Sequence, residues 1–158
     1  MSNPAPTDRL GAGRYLTAGR RPGSTVTSLY ELTTADGATV RGVLATVPGA
    51  RTVVCLMHPR QDVTHHPLVP LLLQAGGAVW TQHTRSVNND LTLVHEQALH
   101  DVAAGMVFLR ERGFDSIVTL GHSGGGTLYA YYLEQAAREP AQRIATTPGG
   151  RPTALADA

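Results

Sequence analysis

The sequence predicts an α/β fold: a mostly parallel sheet with helical crossovers, entered through an antiparallel hairpin at the amino-terminal side. Three observations predict it. From residue 51 onward, short apolar runs alternate with helix-period runs, the order that a parallel sheet with crossovers requires. Ahead of them, two extended runs flank Ala35-Asp36-Gly37, which supplies residues suited to positive φ in a tight turn. Finally, Gly121-His122-Ser123-Gly124-Gly125 lies between a strand-like run and a helix-like run, at a strand carboxyl end, where sheets of this kind gather their sites.

The 158 residues suit one domain, and the 42% hydrophobic content is that of a chain with a core to bury. Residues 1–23 are rich in proline, glycine and arginine and show no sustained period, so a mobile arm is expected there. The body of the domain is expected over 24–139. Residues 26–33 and 39–46 form the hairpin. Residues 51–57, dominated by Val53, Val54, Leu56 and Met57, read as a strand buried on both faces, ending at His58-Pro59-Arg60.

A helix follows over 67–74, with Leu68, Leu71, Leu72 and Leu73 on its apolar side and Gly76-Gly77 closing it. Residues 78–82 are the next strand, succeeded by polar residues from His83 to Asp90. The longest helical pattern covers 91–112, with Val94, Ala98, Val102, Met106 and Leu109 near helical spacing and Gly113 as its stop. Residues 114–120 form the strand before the serine. A helix over 127–138 ends by Glu139-Pro140. The tail, 140–158, is expected to be loop-like, with at most a short extended piece around Ile144. There is no internal repeat.

Composition excludes several classes. Formal net charge is +1 and no arginine–aromatic stripe is present, so no nucleic-acid partner is expected. All thirteen basic residues are arginine, which removes Walker-type phosphate binding and lysine Schiff bases. The single cysteine, Cys55, lies in an apolar run and reads as an inert core thiol. Neither a signal-peptide core nor a bilayer-length apolar run occurs. A soluble cytoplasmic protein without membrane partner or cofactor is expected.

Glycines before and after Ser123 remove the Cβ atoms that would collide where a strand turns sharply into a helix, leaving the serine oxygen exposed. Over roughly 25–137, the sequence thereby resembles the amino-terminal part of an α/β-hydrolase. The resemblance implies a serine nucleophile at Ser123 and an oxyanion donor in the backbone N–H of Gly124. It implies a second donor from the loop after the third strand, matched here by His58-Pro59-Arg60. Pro59 has no N–H, so that donor is expected to be the Arg60 N–H. Arg60's side chain could also meet an anionic substrate group, although a solvated loop arginine is the simpler reading. His58 is expected to brace its loop, and His122 to serve in a supporting or core position; both are candidate substrate-binding residues.

The family's triad runs serine, acid, histidine, yet no histidine follows His122, and Glu134 and Glu139 read as solvated helix residues. The strand before Ser123 would also be left as a sheet edge. The expectation is therefore a fragment, inactive alone, whose acid and base come from a carboxyl-terminal segment or a second chain, acting on a small acyl substrate when complete. The alternative is a non-catalytic binding module on a truncated scaffold. A phosphate-binding module at Gly124-Gly125-Gly126 is a third reading.

Other residue groups read as structural. His95 and His100 are five apart, about 140° around a helix and too divergent for a two-ligand zinc face. His65-His66 reads as loop, and Tyr129, Tyr131 and Tyr132 as packing residues.

Overall fold

The computed structural model describes residues 19–89 and 91–158. Its elements are β1 (Val26–Thr33), β2 (Thr39–Thr46), β3 (Thr52–Met57), α1 (Leu68–Gln74), β4 (Ala78–Gln82), α2 (His95–Glu111), β5 (Ser116–Gly121) and α3 (Gly124–Ala136). The strands form one sheet in the order β1-β2-β4-β3-β5. β1 and β2 pair antiparallel around the predicted turn, β2 meets β4 antiparallel, and β3 pairs in parallel with β4 and β5. Among the described residues β5 pairs with β3 alone and forms an edge of the sheet, as its sequence context predicts.

The period of two along the strands divides the core. Val53, Cys55 and Met57 of β3, with Ala78 and Trp80 of β4, face a cluster completed by Ala98, Leu99, Val102 and Leu109 of α2 and Leu128 of α3. Leu56 and Val79 point the other way, to Val69 and Leu73 of α1. Helices thus cover both faces, as the uninterrupted apolar runs of β3 and β4 require. Cys55 is a buried free thiol whose pKa burial pushes up to about 12. Tyr129 is buried, and Tyr131 and Tyr132 pack partly buried against the same cluster.

Besides shifts of one or two residues, as at β5, which runs 116–121 rather than 114–120, the structure differs from the sequence reading at three places. α2 begins at His95 rather than residue 91, because Val94 is extended at φ −122°, ψ 114°; Leu91, 97% exposed, belongs to the approach. α3 begins at Gly124 rather than 127, despite glycine's poor helix propensity. The tail is more organised than expected: Thr146 and Pro152 form a β-bridge, Thr153 Oγ1 donates to Ile144 O at 2.6 Å, and buried Leu155 joins the core. Of the expected amino-terminal arm, residues 1–18 lie outside the described residues. Arg20 lies against α1, where its carbonyl accepts from Gln74 Nε2 at 2.7 Å.

A charge cluster ties the hairpin to α2. Arg85 donates from Nη1 and Nη2 to the two carboxylate oxygens of Asp36 at 2.6 and 2.8 Å, and from its backbone N and Nε to Asp101 at 2.8 and 2.9 Å. No described helix is long and apolar enough to cross a membrane.

Candidate active site

β5 ends at Gly121 and α3 begins at Gly124, so His122 and Ser123 alone make the turn. Ser123 has φ 50° and ψ −119°, a region that a residue with a Cβ holds only when its surroundings over-determine it, at about 1–3 kcal/mol. Those surroundings are visible. The N–H of His122 donates to Met57 O at 3.2 Å, that of Gly125 to His122 O at 2.8 Å and that of Gly126 to Ser123 O at 3.0 Å. A Cβ on Gly121 would stand 2.1 Å from Gly126 N, and one on Gly125 1.9 Å from Met57 O. Backbone contact therefore demands both glycines, and the Ser123 side chain is left exposed.

One consequence can be measured as stability. Ser123→Gly is expected to be more stable than Ser123→Ala by about 1 kcal/mol, the backbone strain outweighing glycine's greater freedom in the unfolded chain. Denaturant midpoints of the two variants compare them directly.

The His58-Pro59-Arg60 loop lies beside this turn. His58 Nε2 is 3.8 Å, and Pro59 Cγ 3.3 Å, from the position a Gly124 Cβ would take. His58 is buried and its Nδ1 accepts the N–H groups of Arg60 and Gln61, both at 3.1 Å. It braces the loop, as expected. An accepting imidazole nitrogen carries no proton, so the ring is neutral with its proton on Nε2. The Arg60 N–H, expected to face the oxyanion, is engaged by this ring, and the Arg60 side chain is exposed. From outside, Thr84 Oγ1 donates to Pro59 O and Asn88 N–H to Arg60 O at 2.8 Å. His58, Arg60, Gln61 and Asn88 line a small cleft here.

His66 enters the site although the sequence reads it only as a loop residue. Its Nδ1 accepts the Leu68 N–H at 3.2 Å, which places its proton on Nε2, 3.1 Å from His122 Nδ1. Burial, and then the neighbouring charge of His122, lower the His66 pKa below 6.5. His122 is exposed rather than in the core, and its ring centroid lies 6.1 Å from that of His58. Only the Pro67-Leu68 helix start after His66 hints at its role, as a local acceptor for a helix N–H. His95 and His100 do not converge. His100 is buried, with Nε2 against Thr153 O, whereas His95 is half-buried at the start of α2.

Comparison with solved structures places this geometry. An esterase from Pyrococcus furiosus superposes with a TM-score of 0.62 at 21% identity, over 73% of this chain and 47% of that one. Brefeldin A esterase, a bacterial homologue of human hormone sensitive lipase, gives 0.61 at 18% identity, over 76% of this chain and 37% of its own. A prolyl endopeptidase gives 0.58 at 16%, over 71% and 20%. This is an α/β-hydrolase fold. The chain spans less than half of each of these structures. No family model and no curated protein sequence matches it. Within this fold, Ser123 lies at the turn from β5 into α3. Among the described residues the Gly124 N–H has no backbone acceptor, and it lies at the positive end of α3.

Proposed function

We propose that this chain carries the nucleophile and oxyanion part of a serine hydrolase acting on a carboxylic ester or related acyl compound through an acyl-enzyme. The observation that carries the reading is the backbone of Ser123, held at φ 50°, ψ −119° beside the His58–Pro59 loop. Strain of this kind clusters at functional sites. The esterases among the similar structures add support.

Ser123 Oγ attacks the acyl carbon and gives its proton to a general base, while the carbonyl electrons move onto oxygen. The Gly124 N–H, aided by the α3 dipole, receives that charge. The Arg60 N–H supplies the second donor. His58 Nδ1 has one lone pair facing two N–H groups, so Arg60 can turn to an oxyanion while Gln61 keeps the ring in place. Losing one such donor typically costs about 2.7–4 kcal/mol. Collapse of the tetrahedral species expels the protonated leaving group, and water then releases the acid.

His58 and His122 are poor bases here. Each accepts at Nδ1 and so holds its proton on Nε2. On this reading Ser123 is activated by an acid and a histidine from a carboxyl-terminal segment or a second chain, since no histidine follows His122. A fluorophosphonate probe applied to the gene's full product is expected to label it at Ser123, and Ser123→Ala to abolish labelling. Labelling that persists in the variant, or never occurs in the parent, overturns the proposal. In the second case, cooperative folding would favour a non-catalytic binding module.

A further inference from the structure

We propose that His66 is a positioning residue for the elbow: through His122 it pins the β3–α1 loop to the turn bearing Ser123 and fixes His122 as the tautomer protonated on Nε2. This role deepens the hydrolase reading, on which its catalytic use rests, but the geometry stands without it. Three groups lie in series. The Leu68 N–H donates to His66 Nδ1 at 3.2 Å, and His66 Nε2 lies 3.1 Å from His122 Nδ1. The rings meet edge-on, with centroids 5.0 Å apart.

Because a backbone N–H can only donate, the direction of the series is fixed at its origin. His66 must accept at Nδ1, must donate from Nε2, and His122 must accept at Nδ1. The only proton left to the His122 ring is then on Nε2. A backbone N–H two hydrogen bonds away thus sets what the neighbour of the nucleophile offers its surroundings: a donor, never a lone pair. The same bond joins the β3–α1 loop to a turn whose backbone is also tied to the end of β3 by the His122 N–H to Met57 O bond.

The arrangement tolerates no added proton. On His66 Nδ1 it would face the Leu68 N–H. The neutral His66 ring is therefore favoured in the folded protein, in keeping with its lowered pKa. Because that pKa is lowered, the pinning is complete above the ordinary histidine value of 6.5 and is lost as pH falls through the folded value. Neighbouring groups do not replace it. On the same loop His65 and Arg60 are exposed, and Asp62 is held by His83 of the β4 end at 2.9 Å and by the Thr64 N–H at 2.7 Å. His58 already accepts two N–H bonds, and the first turn of α3, Gly124 to Thr127, holds no titratable side chain.

The test uses two variants of the intact protein. His66→Asn keeps an acceptor near the Nδ1 position for the Leu68 N–H but cannot reach His122. His66→Gln keeps an N–H donor near the Nε2 position but does not titrate. Ring nitrogen NMR at neutral pH is expected to show His122 unprotonated at Nδ1 in the parent and in His66→Gln, and a mixture of tautomers in His66→Asn. Amide exchange at Gly125 and Gly126 should quicken about tenfold in His66→Asn alone. As pH falls through the lowered His66 value the parent should come to resemble His66→Asn, while His66→Gln should not. An unchanged His122 tautomer and unchanged exchange in His66→Asn would overturn the proposal. Fluorophosphonate labelling separates it from the hydrolase reading: NMR changes without any Ser123 labelling would leave the pin standing and remove the esterase.

Discussion

Gly125→Ala is expected to destroy the elbow, whereas Gly126→Ala, one residue on, is expected to leave it intact. The new methyl at position 125 would lie 1.9 Å from Met57 O and 2.9 Å from Met57 C, far inside any contact that real atoms tolerate. Both partners are backbone. Met57 is the last residue of β3, paired in register with Gly121 of β5, and its carbonyl also accepts the His122 N–H. It cannot retreat without opening the pairing of β3 and β5, and α3 cannot retreat without uncovering buried Leu128 and Tyr129. Ordinary overpacking costs about 1–3 kcal/mol through side chains that shift; with none free to shift, a loss above about 3 kcal/mol is expected, together with the loss of any Ser123 labelling.

At Gly126 the nearest atom to a new methyl is Gly121 O at 3.8 Å, an ordinary contact. The substitution then acts mainly on helix propensity and should stabilise by up to about 1 kcal/mol. Urea midpoints of the two variants decide the matter: similar values would mean that the elbow's close approach is not what holds Ser123.

This contrast marks how much is legible in the sequence. A serine between glycines, after one apolar run and before another, is enough to place the tight strand-to-helix turn, because steric exclusion acts over a few adjacent residues. The sheet class is legible for a related reason: alternating elements restrict the connections a twisted sheet allows. The triple glycine, by contrast, does not show which of its members are indispensable. Gly125 is required by Met57, 68 positions earlier, and no local pattern encodes that contact. His66 escapes the sequence similarly, since its bond to His122 joins two loops remote along the chain. His58 is legible as a brace because its partners, Arg60 and Gln61, are its near neighbours. Most hidden of all is Asp101, an acid on a helix whose apolar period says nothing about the arginine it meets.

Arg85→Ala is expected to cost about 3–5 kcal/mol, the range for removing one partner of a buried ion pair. Asp101 has a fully buried side chain, and it accepts hydrogen bonds from the Arg85 backbone N–H and guanidinium. Burial raises the Asp101 pKa, with Arg85 opposing that rise; without the guanidinium the carboxylate keeps only the backbone N–H. Asp36 differs in sign. Burial alone would raise its pKa, but hydrogen bonds from Arg85 and Thr34 outweigh that effect and hold it well below the carboxylate range. Its contribution is therefore complete above the ordinary value of 3.8 and is lost as pH falls toward the folded value. Asp101, raised even beside Arg85, contributes the other way: its ionisation weakens the fold at neutral pH, and does so more once Arg85 is removed. Arg85→Ala should thus lower stability most near neutrality and progressively less in acid, where Asp101 becomes neutral and Asp36 no longer needs a partner. Urea unfolding of parent and variant across pH 3–7 measures this, and a difference that stays constant with pH would show that the guanidinium acts through packing rather than charge.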